Sequence, residues 1–440
     1  MKIVGAQVLV VGMAKSGIAT AQLLQSRGAD VVACDEKPAF RLPPLSVPLL
    51  PQGPEAFRGR DLIVLSPGVP AGLPLVDEAR RRGIPVFGDV EVASWFLKGP
   101  ILGITGSNGK TTTTALAGHL LHECGVPCQV GGNIGTPLAS LVDSSRDDQW
   151  NVLELSSFQL ETIGTLRAHI GVALNVTPDH LDRHGTLDRY WAAKARLFEN
   201  QKPDDFAVLN AEDPLTVRYS ESTTAQIHWF SAGGAVDRGV WVDGDRFLAD
   251  GEFVMPVSEV RLRGRHNLEN VAAAVAVARI AGAPLEGIGA AVASFPGVEH
   301  RIEFVRTVNE VDYYNDSKAT NVDATLKAIA SFPGGIWIIL GGKDKNSDYT
   351  VLREPLKNHA RAALLIGAAA PKIAEHLGDA VPIHSCGTLA QAVEMAHARA
   401  IPGETVLLAP ACASFDQFDN YEHRGRVFKQ LVAALKEDHT

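Results

Sequence analysis

The sequence predicts an α/β chain of three domains, each built on a largely parallel sheet flanked by helices. Three observations predict it. Short β-branched runs alternate with amphipathic helical stretches almost throughout, the rhythm of parallel sheets with helices on both faces. At 440 residues the chain exceeds what one hydrophobic core ordinarily serves. Two breaks, Lys98-Gly99-Pro100 and Phe295-Pro296-Gly297, interrupt the rhythm.

The first block, 1–97, holds QVLVVG, a helix over 17–27, then DVVACD, DLIVLSPGVP and IPVFG. The second, 98–297, starts on the strand ILGIT. Its section 225–260, with the turns VDGD and ADGE, reads as a small antiparallel excursion. The third, 298–440, repeats the βα rhythm in VDYYNDS, GGIWIILGG, AALLIG and TVLLAP. The three blocks share no internal repeat.

Composition narrows the classes. The chain is 46% hydrophobic and 21% charged, with a net charge of −9 and no basic run. Nucleic acid is therefore not an expected partner, because phosphate contacts need a basic footprint. No apolar run reaches the ~18 residues of a spanning helix, so membrane insertion is not expected. The opening MKIVGAQVLVVGMAKSG is broken by glycines and reads as a strand rather than a signal peptide. Cys34, Cys124, Cys128, Cys386 and Cys412 are scattered and odd in number, which suggests reduced thiols in a cytoplasmic protein. Cys124 and Cys128 lack the second pair that a metal site needs.

The strongest local signal is ILGITGSNGKTTTTALAGHLL, a buried strand, a glycine-rich turn and a helix. Backbone N–H groups of Gly106, Ser107, Asn108 and Gly109 can wrap phosphates at a helix N-terminus. Lys110 can neutralise phosphate charge, and the hydroxyls of Thr111 and Thr112 lie in the first turn, with Thr111 suited to Mg²⁺. Five residues, not the four of the strict Walker pattern, separate Gly103 from Gly109. A plain tight turn is the bland alternative.

Downstream, Glu154 ends an apolar strand, where carboxylates face the ligand crevice of an open α/β sheet. It reads equally as a hard-oxygen Mg²⁺ ligand or as a capping or surface glutamate. A second strand ends at Asn175, and a turn then delivers Asp179, His180 and Asp182. A helix from about Leu187 carries Lys194, and the turn GGNIGTP offers Asn133 to a metal or phosphate oxygen.

In this order GITGSNGKTT, GGNIG, ELSSFQLE and NVTPDHLDRH resemble the bacterial Mur ligases of peptidoglycan precursor synthesis. HNLENVAAA, HRIEF, YNDSKATN, LGGKDK and ACASFDQF resemble the D-glutamate-adding branch of that family. The motifs span essentially the whole chain. The resemblance implies an N-terminal Rossmann-like UDP-binding domain, a central P-loop ATPase-type parallel sheet and a C-terminal Rossmann-like α/β domain that closes on ATP and binds the amino acid. It implies an ADP-forming amide ligase, monomeric, that uses ATP and two Mg²⁺ ions. Such an enzyme joins D-glutamate to UDP-N-acetylmuramoyl-L-alanine through an acyl phosphate and a tetrahedral intermediate.

Residue by residue, the resemblance implies Lys110, Glu154, His180 and Lys194 as the catalytic set. Thr111 and Glu154 would hold one Mg²⁺ and His180 the second. Lys194 stands where the family carries a carbamylated lysine; unmodified, it would bind phosphate. Asn267 and Asn270 match an adenine-contacting pair, with N-capping of their helix as the alternative for Asn267. Arg301 matches a γ-phosphate ligand and Asp316 a ribose acceptor. Lys318, Thr320, Lys345, Ser414 and Phe415 match amino-acid positions, with Tyr421 where the family often has phenylalanine. Ser156 and Asn133 match substrate contacts. Whether Lys343 or Asp344 points inward stays open. In the first block GMAKSG is a faint dinucleotide fingerprint with Ala14 at the middle glycine. The resemblance places UDP there, with Ala14, Lys15, Ser16, Asp35, Glu36, Ser66, Pro67 and Gly68 around it.

Other amide ligases of Mur or folylpolyglutamate type share much of this pattern, and a non-catalytic nucleotide-binding homologue would keep the fold. A GTPase would carry a guanine-reading NKxD, which is absent.

Overall fold

The computed structural model describes residues 2–36, 46–133 and 135–436, except for the Asp182 side chain. Three sheets follow in chain order. The first comprises β1 (Gln7–Val11), β2 (Asp30–Asp35), β3 (Leu49–Pro51), β4 (Leu62–Leu65) and β5 (Val86–Gly88). They lie in the order β3-β2-β1-β4-β5, and every pairing is parallel. The strand order, not the strand direction, reverses at β1, so the crevice beyond β1 and β4 is the ligand position such sheets offer.

The second sheet holds β6 (Ile101–Thr105), β7 (Cys128–Gly132), β8 (Trp150–Glu154), β9 (Ile170–Ala173), β10 (Phe206–Asn210), β11 (Gln226–Ser231), β12 (Gly239–Asp243), β13 (Arg246–Ala249) and β14 (Glu252–Pro256). Its order is β14-β13-β12-β11-β10-β9-β6-β8-β7. All five residues of β6 are buried, as an interior parallel strand covered on both faces requires. The expected antiparallel excursion is partly corrected. β11 pairs parallel with both β10 and β12, and only β12-β13-β14 turn antiparallel, extending the same sheet.

The third sheet comprises β15 (Glu303–Val308), β16 (Val311–Asn315), β17 (Ile336–Gly341), β18 (Ala360–Ile366), β19 (Ile383–Gly387) and β20 (Thr405–Leu408), in the order β15-β16-β20-β17-β18-β19. It opens on an antiparallel hairpin, β15 with β16, rather than on a βα step; the remaining pairings are parallel. A two-residue turn, Asn309 and Glu310, both at positive φ, allows that hairpin.

The chain divides into two compact units, 1–259 with 269–295, and 260–268 with 296–440. The first unit contains two sheets, and one buried carboxylate joins them. Glu91, in the helix Asp89–Ser94, accepts from the backbone N–H groups of Gly164, Thr165 and Leu166 at 2.8, 2.7 and 2.9 Å. The Thr165 hydroxyl and Trp95 Nε1 donate to it as well, at 2.6 and 2.8 Å. Beside it Gly88 donates to the Thr162 carbonyl, and a Cβ at Gly88 would sit 2.3 Å from Thr162 Oγ1. Only glycine allows the two segments to approach this closely.

In the second unit the fully buried Arg424 ties two motifs, YNDSKATN and ACASFDQF, to its own helix. It donates to the hydroxyl and carbonyl of Ser317 at 3.0 and 2.9 Å and to the Cys412 carbonyl at 3.2 Å. All five cysteines are free thiols. Among the described residues no helix is long and apolar enough to cross a membrane.

Candidate active site

The phosphate loop sits at the switch point of the second sheet, between β8 and β9 and after β6. Gly109 adopts φ 86°, a left-handed conformation that turns the chain into the helix Lys110–Glu123. A Cβ there would also lie 2.3 Å from Asn270 Oδ1. Asn270 in turn accepts from the Thr113 hydroxyl at 3.2 Å, so it packs directly on the loop and its helix.

The loop is braced from β9. Asn175 accepts the Asn108 N–H through its side chain at 2.8 Å and returns its amide to the Asn108 carbonyl at 3.2 Å. Ser107 donates to the Thr177 carbonyl at 3.0 Å and meets the Tyr190 hydroxyl at 3.2 Å. These contacts brace the cradle but engage two of the four N–H groups expected to wrap phosphate: that of Ser107 donates to the Asn175 carbonyl at 2.9 Å and that of Asn108 to the Asn175 side chain.

Two lysines converge on that cradle. Lys110 Nζ donates to the carbonyls of Gly106 and Ser107 at 2.8 and 2.9 Å, and Lys194 Nζ donates to the same Gly106 carbonyl at 2.9 Å. Lys194 is buried, with its amine 4.4 Å from the Tyr190 ring centre. Burial, reinforced by the Lys110 charge, holds the Lys194 amine well below the usual lysine range, with Asp179 and Glu154 opposing. Burial likewise pushes the Tyr190 phenol up to about 12.

Glu154 ends β8 beside them. Its Oε1 accepts from Asn133 Nδ2 at 2.7 Å, while its buried Oε2 has no hydrogen-bond partner. The surface and capping readings of Glu154 are therefore excluded. A buried carboxylate oxygen left without a donor is what a hard divalent cation such as Mg²⁺ fits. His180, at φ 51°, is exposed and edges against the Phe158 ring at 4.8 Å, with Asp179 3.5 Å away. Tyr190 lies between it and Lys194, its ring 6.4 Å from that of His180. The Asp182 side chain lies outside the described residues. The Ser156 hydroxyl is committed locally, capping the helix Ser157–Leu160 in a reciprocal box with Gln159.

In the first sheet the helix after GMAKSG begins at Lys15, two residues before the expected start. Ala14 and Lys15 are exposed at its mouth, as are Glu36 and Gly68. Ser16 donates to Asp89 at 2.6 Å, Ser66 to the Gly12 carbonyl at 2.6 Å, and Asp35 accepts the Met13 N–H at 2.6 Å. Three of the expected sugar-nucleotide residues thus shape the turn.

Within the second unit, Asn267 is the third residue of the helix Arg265–Ile280 and donates to the Arg263 carbonyl at 2.7 Å. It is not the cap. Asp316 is buried, and burial, opposed by Arg301, pushes its carboxyl up to about 7. Lys318 places its amine 3.8 Å from the Tyr421 ring centre. The Lys318 and Thr320 backbones run in one tight turn, Thr320 donating to the Lys318 carbonyl at 2.7 Å. Ser414 is buried, whereas Lys345 and Phe415 are exposed. The open question at 343–344 resolves: Asp344 accepts from Lys372 and from the buried Tyr349 at 2.8 and 2.7 Å, while Lys343 is exposed.

Sequence reasoning passed over Tyr190 and Glu91 and read Asn175 only as the end of a strand, which stops instead at Ala173. Tyr190 stands one helical turn before Lys194, a spacing that brings two side chains to one face and was available as a signal. Little local marks Glu91, whose backbone N–H donors lie more than 70 residues on.

A glycine-rich strand-to-helix turn facing a carboxylate and a buried lysine at a sheet's switch point defines a P-loop nucleotide-binding α/β protein. Models of the Mur ligase MurD-like N-terminal domain, the Mur ligase middle domain and the Mur ligase glutamate ligase domain match residues 6–88, 104–278 and 300–412. The chain belongs to the Mur ligase family. A relative from Solibacter usitatus, named UDP-N-acetylmuramoylalanine–D-glutamate ligase, is 60% identical, with 99% of each chain covered. One of the same name from Acidobacterium capsulatum is 52% identical, covering 99% of this chain and 97% of the relative. Among solved structures, UDP-N-acetylmuramate-alanine ligase from Thermotoga maritima superposes with a TM-score of 0.63 at 18% identity, covering 98% of this chain and 100% of its own. The ADP complex of MurF ligase from Thermotoga maritima also superposes at 0.63, at 18% identity, covering 98% and 96%. These two likenesses concern the fold.

Proposed function

We propose that this chain is an ADP-forming ligase that joins D-glutamate to UDP-N-acetylmuramoyl-L-alanine in cytoplasmic peptidoglycan precursor synthesis. One observation carries the reading: Lys110 and Lys194 converge on the Gly106 carbonyl, with the half-unpartnered Glu154 acting on Lys194. A module that only bound nucleotide would have no use for a buried second lysine and an orphaned carboxylate. The names of the full-length relatives supply the substrates.

A carboxylate is a poor electrophile. In the proposed reaction its oxygen attacks the γ-phosphorus of ATP, releasing ADP and leaving an acyl phosphate. The amine of D-glutamate then attacks the acyl carbon, and the tetrahedral intermediate expels phosphate as the amine loses its proton. The loop 106–109 and Lys110 hold and neutralise the phosphates, with Thr111 and Thr112 in the first turn. Glu154, Thr111 and His180 are the residues that would hold Mg²⁺, which when bound neutralises developing phosphate charge. Lys194, its amine held below the usual lysine range by burial, is placed to add CO₂ as a carbamate, with loss of a proton to solvent, and so become an anion that supports the metal side. Asn133 orients Glu154.

We assign residues 1–97 to the UDP-sugar, 98–297 to ATP, and 298–440 to the amino acid, with the chain acting as a monomer. Asn267 and Asn270 are assigned to adenine, Arg301 to the γ-phosphate and Asp316 to ribose. Lys318, Thr320, Lys345, Ser414, Phe415 and Tyr421 are assigned to D-glutamate.

The test is phosphate release by the purified protein with ATP, Mg²⁺ and UDP-N-acetylmuramoyl-L-alanine, adding D-glutamate, L-glutamate or nothing. Release with D-glutamate alone is expected. Release with another amino acid, or with none, overturns the assignment.

A further inference from the structure

The motif DHLDRH contains an arginine that the mechanism above leaves unused. Arg183 is mostly buried, its side chain 14% exposed, and it lies at the seam between the two sheets of the first unit. Its Nη2 donates to the Val69 carbonyl at 3.0 Å and to Glu161 Oε2 at 2.8 Å, and Nε reaches the same carboxylate at 3.3 Å. Its guanidinium carbon lies 4.7 Å from the centre of the Phe158 ring. The other side of the chain of contacts is equally well defined. Phe158 edges against His180 at 4.8 Å, and Glu161 Oε1 meets His184 Nδ1 at 3.1 Å.

Val69 belongs to the turn SPGVP. Its N–H donates to the Ser66 carbonyl, Ser66 donates to the Gly12 carbonyl, and a Cβ at Gly12 would fall 2.7 Å from Val69 Cγ2. The turn is therefore packed on GMAKSG. One guanidinium fork thus spans from the sugar-nucleotide turn to the residues that seat His180. Planar, bidentate geometry lets arginine make both connections at once; lysine has no such fork.

We propose that Arg183 is a positioning residue that couples the uridine-side turn to His180, so that docking of the sugar nucleotide orders the metal-side loop. This rests on the functional reading above for the identity of both ligands. Coupling of this kind is reciprocal and reads as a change in affinity.

The test uses Mn²⁺ as probe, titrated by electron paramagnetic resonance onto the ATP-loaded protein with and without UDP-N-acetylmuramoyl-L-alanine, omitting D-glutamate. The sugar nucleotide is expected to tighten Mn²⁺ binding by about tenfold in the wild type, within the usual range of such couplings. Arg183→Met and Phe158→Leu should each reduce that factor to about one, and the double variant should lose no more than either alone, as residues in one relay do. Arg183→Lys, which keeps the charge, guards against misfolding and should retain only part of the coupling. An undiminished factor in a folded Arg183→Met, or no coupling in the wild type, overturns the proposal. The steady-state assay separates this from the functional reading: absence of D-glutamate-dependent phosphate release in the wild type sinks the ligase reading, while the Mn²⁺ titration still decides the relay.

Discussion

Lys110 and Lys194 donate to one oxygen, the carbonyl of Gly106, at 2.8 and 2.9 Å. Two ammonium groups so placed repel, and the buried one yields: the Lys194 amine is held well below the usual lysine range, first by burial and then by Lys110.

Lys194→Ala should abolish ligation, lowering D-glutamate-dependent phosphate release by about 10³-fold, the upper range for losing one electrostatic element of a site. ATP binding by calorimetry should persist, because Lys110 and the loop remain. Normal turnover in this variant would remove Lys194 from the chemistry. Degassing wild-type enzyme in CO₂-free buffer should depress the rate, with bicarbonate restoring it.

Gly109→Ala should lose ATP binding and cost about 1–2 kcal/mol, since a side chain in left-handed backbone is strained. Its Cβ also meets Asn270 Oδ1 at 2.3 Å. Wild-type ATP affinity in this variant would mean that the loop tolerates another shape.

Glu91→Ala should destabilise the protein by about 3 kcal/mol in urea unfolding, because several donors around a buried carboxylate lose their acceptor together. Glu91→Gln should recover part of this, as a neutral amide oxygen still accepts. A loss below about 1 kcal/mol, the worth of one ordinary hydrogen bond, would mean that water replaces the carboxylate.

Asp316 carries a pH signature. Burial raises its carboxyl from the ordinary 3.8 to about 7. Between those values the folded state holds a proton that the unfolded state has released, so this group's contribution to stability falls as pH rises. It is fully present below the unfolded pKa and lost by the time pH passes the folded one. Asp316→Asn should therefore gain on the wild type across that window in urea midpoints measured at successive pH values. A constant difference between the two proteins would mean that Asp316 titrates normally.

Lys318 lies over the Tyr421 ring at 3.8 Å, a contact that helps to fix its ammonium. Lys318→Ala should raise the KM for D-glutamate about tenfold or more with the KM for ATP little changed, the mark of lost substrate binding. An unchanged KM for D-glutamate would place the lysine outside the amino-acid site.

Much of this architecture was legible in advance. The βα rhythm, the GKT helix start and the carboxylate at the end of β8 are each encoded within a dozen residues, and each stands where expected. The excursion after Ala225 was half misread, because turn-rich short strands announce a hairpin but not which existing sheet edge will extend it. Ser156 and Asn267 were legible as polar groups in a motif; their hydrogen bonds to Gln159 and Arg263 were not.

By itself the sequence determined the order of elements, the phosphate loop and the chemical types placed at strand ends, since propensity, periodicity and turn chemistry act over neighbouring residues. Only the tertiary structure decided that Lys194 would reach Gly106, that Glu91 would bind the amides of residues 164–166, and that Arg183 would bridge Val69 and Glu161. Those pairings depend on which strands become neighbours and which side chains lose water, and burial, which decides whether a charge is kept or given up, is a property of the packed chain.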